Sequence, residues 1–118
     1  MNQGDDFIVR KGKFDYFFGR VSSTLKNQQR SIQNLQDLRK LGIDEKFGGQ
    51  SRLLKIFQDG LNAPEVSRKI TAYGIVIMRS IEVNGLEYRG AIEISYFYPN
   101  TDLFAIPEVV SIIPKIYT

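Results

Sequence analysis

The sequence predicts an α+β domain in which N-terminal helices pack on a three- to four-stranded antiparallel sheet. Two patterns carry that expectation. Between Leu25 and Leu41 the apolar residues Ile32, Leu35, Leu38 and Leu41 recur every three positions among polar neighbours, the spacing of an amphipathic helix. Between Ala91 and Tyr98 apolar residues alternate with small or polar ones, the period of a strand with one buried face. Ahead of them Asn84-Gly85 is the dipeptide that type I′ hairpin turns favour. Helical spacing thus precedes strand spacing, the order of an α+β layout.

Taken in order, residues 1 to 6 read as a flexible tail, and Phe7-Ile8-Val9 is too short to assign. Lys13 to Val21 holds four aromatics in five positions and reads as a short apolar anchor leading into a helix, with an N-cap among Ser22, Ser23 and Thr24. The first long helix ends at Gly42, where a left-handed residue satisfies the last carbonyls and Arg39 and Lys40 complement the dipole. Gly48-Gly49 opens a loop, and Ser51 offers the N-cap of a second helix running to about Gly60, which Asn62-Ala63-Pro64 terminates. Ile70 to Met78 reads as one central strand covered on both faces. The hairpin at Asn84-Gly85 follows, then the strand through Tyr98 and a turn at Pro99-Asn100-Thr101-Asp102. Leu103 to Ile106 and Val109 to Ile113 are further strand candidates, interrupted by Pro107 and closed by Pro114.

With 118 residues the chain holds one core, so 1–118 is expected to be a single domain. No apolar run approaches the roughly 20 residues that cross a bilayer, and the first residues lack the basic and apolar regions of a signal peptide. The chain is therefore expected to be cytoplasmic, or cargo cut from a longer protein, with no membrane partner. The chain contains neither cysteine nor histidine, which removes disulfides, thiol nucleophiles, the commonest zinc ligands and the commonest general base. Phosphate-loop and dinucleotide motifs are missing, so no cofactor is called for.

Charge is unevenly spread. Between Arg10 and Lys55 eleven lysines and arginines face four acids, whereas the rest of the chain is mildly acidic. Such a basic half is either a phosphate-backbone footprint or the solvated side of helices.

Within the helical stretch Lys26, Arg30 and Asn34 are spaced by four and share a face, with Asn27 and Ser31 beside them. Two cations with amides and a hydroxyl suit a phosphate, Arg offering a planar fork and Lys a point charge. An ordinary exposed face opposite Ile32, Leu35 and Leu38 accounts for the same pattern. In the sheet region Arg79-Ser80 and Glu93 with Ser95 could gather near the hairpin. There an inward Glu93 beside Arg79 would make an acid and base pair, and an outward one only a surface ion pair. Tyr88, Tyr96, Phe97 and Tyr98 either stack bases or pack the helices onto the sheet.

The order of these pieces adds a resemblance. Lys13-Phe14-Asp15-Tyr16-Phe17-Phe18-Gly19-Arg20-Val21, then Asn27, Arg30-Ser31 and Gln33-Asn34, then Leu38 to Ile43, resembles the opening of the C-terminal toxin domains of bacterial polymorphic and contact-dependent toxins. Tyr73-Gly74, Arg79-Ser80, Glu93-Ile94-Ser95 and Val110 to Pro114 look like that group's sheet region, so the resemblance runs over roughly residues 13 to 115. It implies a ribonuclease-like fold, with helices on an antiparallel sheet that bears the active site, and RNA, often transfer RNA, as substrate. It also implies a cognate immunity protein as partner. Where the family pattern tends to have His before the Asn of the first helix, this chain has Lys26.

The function expected on these grounds is metal-independent RNA cleavage. Lys26 and Arg30 would hold the scissile phosphate, Glu93 would act as base on a ribose hydroxyl, and Asn27, Ser31, Asn34, Arg79, Ser80, Ser95 and Ser111 would position the substrate. The alternatives are a non-catalytic RNA- or protein-binding domain of the same fold and a protein with no nucleic-acid role.

Overall fold

The computed structural model describes residues 6–21 and 23–117. Three helices precede four strands: α1 Lys11–Phe17, α2 Leu25–Lys40, α3 Gly49–Gly60, β1 Glu65–Thr71, β2 Gly74–Asn84, β3 Arg89–Pro99 and β4 Glu108–Tyr117. The expected tail lies outside the described residues apart from exposed Asp6.

The aromatic run is not an anchor before a helix but a helix itself. Phe14 and Phe17, three apart, turn to the same side, and with Phe18 they are buried. Their rings meet edge to face at 6.0 Å, and Phe17 meets Phe57 of α3 in the same way. α2 begins at the hydroxyl cluster as expected, with Thr24 accepting a hydrogen bond from the Asn27 amide at 3.0 Å. It ends before Gly42, whose φ of 81° is the left-handed conformation that favours glycine.

The buried face of α2 is rotated from the one hydropathy suggests. Ser31, Asn34 and Leu38 are buried, whereas Ile32 is 38% exposed. α1 supplies the reason: the Ser31 hydroxyl donates to the Tyr16 carbonyl oxygen at 2.6 Å and accepts from the Val21 amide at 3.4 Å, so a polar residue is satisfied at the helix–helix contact. α3 starts earlier than expected, with Gly48 rather than Ser51 at its N-cap, and buries Leu53, Ile56 and Phe57.

All four strands are antiparallel in the order β1-β2-β3-β4. The stretch read as one central strand is two, because the chain reverses at Ala72-Tyr73 and Thr71 pairs with Gly74. β1 is an edge strand exposed along almost its whole length, and it carries Glu65, Arg68 and Lys69, charges that discourage pairing with another chain. Asn84-Gly85 does not form the two-residue type I′ turn, since neither residue has a positive φ. A four-residue loop, Gly85 to Tyr88, joins β2 to β3 instead. Glycine is required at 85 for another reason: a Cβ there would sit 2.6 Å from the Lys40 carbonyl oxygen, where the loop crosses the end of α2.

The turn expected at Pro99 to Asp102 is present, with Asn100 and Thr101 at positive φ. Leu103 to Ile106 is loop, not strand. β4 continues through Pro114 rather than stopping there, which an edge strand permits because proline's missing N–H can face away from the partner. The other side of β4 is capped at its start by Ile8, which donates to the Pro107 carbonyl and accepts from the Val109 amide.

The helices cover one face of the sheet only. Ile75, Ile77 and Val83 of β2, Ile92, Ile94, Tyr96 and Tyr98 of β3, and Val109 and Ile112 of β4 join the helical side chains in one core. β2 therefore has one covered face, not two, and the alternate residues of the sheet form an open surface. Among the described residues no helix is long and apolar enough to cross a membrane.

Candidate functional site

The open surface takes its chemistry from strand alternation. On β3 the residues between the core positions are Ala91, Glu93, Ser95 and Phe97. Register then sets their neighbours: Ser80 of β2 lies opposite Glu93, Met78 opposite Ser95, and Ser111 and Ile113 of β4 flank Ser95 and Glu93 from the other side. Three expected hydroxyl residues and the expected base thus meet on two adjacent cross-strand rows. Ser95 is buried at their centre and Glu93 is half-buried.

The cation beside Glu93 was not expected. Lys115 lies diagonally across the β3–β4 pair, and its Nζ stands 4.0 Å from Glu93 Oε1. The sequence offered one signal for it, the alternation Ser111, Ile113, Lys115, which a strand stopped at Pro114 conceals. Arg79, the expected partner, points the other way. It pairs in register with Ile94, and its Nη1 donates to the Ala63 carbonyl oxygen at 2.8 Å, tying β2 to the link after α3. Its Nε is buried without a hydrogen-bond partner among the described residues.

The α2 residues divide in a similar way. Lys26 is exposed at the helix start, and Asn27 donates to Ser23 Oγ at 3.2 Å, a contact that shapes the helix entry. Ser31 is fully buried and committed to Tyr16. Arg30 and Asn34 line a cleft of about 440 Å³ between α1, α2 and the outer edge of β4, together with Lys13, Gln33 and Ser111. Arg30, Asn34 and Ser111 are therefore brought together, whereas Lys26 and Glu93 are not among the lining residues. Ser111 and Ile113 belong both to the cleft and to the open surface, so the two adjoin across the β4 edge.

The aromatics separate too. Tyr96 and Tyr98 are buried on the helix side, Phe97 lies on the open face, and Tyr88 sits under Lys40, whose Nζ is 5.7 Å from the ring centroid. Among the described residues no group of three or more His, Cys, Asp or Glu side chains is placed to hold a metal ion.

No family model matches the chain, and no curated protein matches it in sequence. Its fold, however, has a solved counterpart. A chain of a contact-dependent growth inhibition toxin–immunity protein complex from Klebsiella pneumoniae 342 is similar over 92% of this chain and 99% of its own length, with a TM-score of 0.74 and 21% identity. The likeness is one of fold. It fits the layout of helices on an antiparallel sheet implied by the toxin-domain resemblance, and it concerns one chain of a complex that contains both a toxin and its immunity protein.

Proposed function

We propose that this protein belongs to a toxin–immunity system and cleaves RNA on the open face of its sheet. The observation that carries the reading is the pairing of Glu93 with Lys115 at 4.0 Å, bordered by Ser80, Ser95 and Ser111. A carboxylate beside an ammonium, with hydroxyls on the neighbouring strands, is a constellation suited to an internal phosphoryl transfer.

In that reaction Glu93 takes the proton of a ribose 2′-hydroxyl as the 2′-oxygen attacks the adjacent phosphorus. The bond from phosphorus to the 5′-oxygen breaks, leaving a 2′,3′-cyclic phosphate, and water protonates the departing oxygen. Lys115 neutralises the charge that builds on the non-bridging oxygens. The nucleophile belongs to the substrate, so the scheme calls for no metal. Lys26 and Arg30 serve as backbone contacts at the flank rather than at the reacting phosphorus, in keeping with their exposed positions on α2.

Incubating purified protein with total RNA and with transfer RNA, with and without chelator, tests the reading. Cleavage to cyclic phosphate ends that survives chelation and disappears in Glu93→Gln supports it. RNA left intact across a range of pH overturns it.

A second reading is a non-catalytic binding domain, including the immunity partner of such a pair. It is favoured by the separation of Lys26 and Arg30 from Glu93 and by the presence of both partners in the similar complex. It predicts a stable complex with a partner protein, or salt-sensitive RNA binding, without cleavage.

A further inference from the structure

Asn34 presents to the cleft an amide that no other described residue engages. The residue keeps only 9% of its surface exposed, and its amide makes no hydrogen bond with any described residue while it lines the cleft between α1, α2 and β4. Its amide is not sealed from solvent but lines the cavity, where it is free to meet a ligand's donor and acceptor.

The cleft's other walls narrow the chemistry. Lys13 and Arg30 bring two cations, neither of which enters a salt bridge among the described residues, and no carboxylate lines the cavity. Tyr16 adds an aromatic surface. The β4 edge adds backbone: Val109 turns its N–H outward to Ile8, and beyond the bulge at Val110 the alternation turns the main chain of Ile112 outward again. A cavity of about 440 Å³ is of the size that holds a small ligand.

We infer that this cleft is a nucleotide subsite. The phosphate lies between Lys13 and Arg30, the base rests on Tyr16, and Asn34 with the Ile112 main chain meets the polar edge of the base. The identity of the biological ligand rests on the RNA reading above: because Ser111 and Ile113 join the cleft to the open face, the nucleotide is a neighbour of the one cleaved at Glu93. A free nucleoside monophosphate presents the same chemistry.

Nuclear magnetic resonance of ¹⁵N-labelled protein tests the inference, with titrations of ribonucleoside 5′-monophosphates, a short single-stranded oligoribonucleotide, and inorganic phosphate. The Asn34 side-chain amide signals should shift saturably with the nucleotides. Arg30→Ala should weaken that binding roughly tenfold to a hundredfold, the loss of one charge-assisted hydrogen bond. Lys55→Ala, an exposed cation on α3 paired with Asp59, should leave it unchanged.

Tighter binding of the oligoribonucleotide supports an RNA strand as ligand, and equal affinity supports a free nucleotide. Asn34 signals that do not move, or that inorganic phosphate moves as far as the nucleotides do, overturn the inference. Cleavage that depends on Glu93 in a protein whose Asn34 ignores nucleotides overturns the subsite and keeps the RNA reading. Saturable nucleotide binding without cleavage of any RNA does the reverse.

Discussion

The hydroxyl of Tyr96 donates a 2.7 Å hydrogen bond to the main-chain carbonyl oxygen of Phe57, joining the middle of β3 to the last turn of α3. That carbonyl lies among those a helix leaves without an internal partner, and the Leu61 amide bonds to Gln58 instead. Tyr96→Phe should therefore destabilise the fold by about 1–3 kcal/mol, read as a lower urea midpoint.

The same phenol gives a pH prediction. Burial holds the Tyr96 pKa well above its ordinary value of 10.0. In the unfolded chain it ionises near the ordinary value, so its neutral form favours the folded state fully below that pH. The contribution falls as pH rises from there toward the folded value. Urea midpoints measured from pH 8 upward should drop more steeply in the native protein than in Tyr96→Phe. Parallel curves would refute this.

Gly85→Ala should also destabilise the domain, by about 1–3 kcal/mol, because the added methyl meets the Lys40 carbonyl and not a movable side chain. Thermal unfolding measures the loss. An unchanged melting temperature would mean that the β2–β3 loop is free of α2.

Ser31→Ala should lower stability by about 0.5–1.5 kcal/mol through the lost bond to the Tyr16 carbonyl, which keeps only the longer bond from the Gly19 amide. In urea unfolding the loss appears as a lower midpoint, and in binding assays RNA affinity should stay the same. Weaker RNA binding at unchanged stability would return Ser31 to the substrate contacts that its sequence position suggests.

For catalysis, Glu93→Gln should reduce RNA cleavage about a hundred- to ten-thousand-fold, as expected for loss of a general base. Lys115→Ala should lower the turnover rate more than substrate affinity, and Lys115→Arg should recover part of it. Single-turnover kinetics separate these effects. A Lys115→Ala enzyme with only an affinity defect would remove it from the reacting phosphate.

Arg30 and Lys26 call for a different readout. If each contacts one phosphate of single-stranded RNA, Arg30→Ala and Lys26→Ala should each reduce the slope of log affinity against log salt by about 0.7. Filter binding across salt concentrations supplies the slopes, and slopes equal to the native one would class both as solvated surface.

Much of the fold was legible because period and end signals agree in it. α2 announced itself through its spacing, its hydroxyl N-cap and Gly42, and the core side of β3 through Ile92, Ile94, Tyr96 and Tyr98. The failures share a cause: contacts distant in sequence overrode local preference. Hydropathy placed Ile32 inside and Ser31 outside, because the Tyr16 carbonyl that satisfies Ser31 cannot be seen from α2 alone. Ala72-Tyr73 carries no glycine or asparagine to mark a reversal, so two strands read as one, whereas Asn84-Gly85 carries the mark and makes a longer loop. The site suffered likewise. The sequence points to Arg79 as the partner of Glu93, but register turns Arg79 to the helices and brings up Lys115.

The bridge between Ile8 and Glu108, reinforced by the ion pair of Arg10 with Glu108 across 98 positions of chain, has a consequence for how the domain is made and unmade. The clasp cannot form until Glu108 has been made, long after Ile8 and Arg10, so it is a late contact of the domain. A tension applied near residue 8 meets it first. Shearing the Ile8 segment off β4 would free the edge at Pro107 and Val109 and loosen one wall of the cleft before the sheet itself is strained.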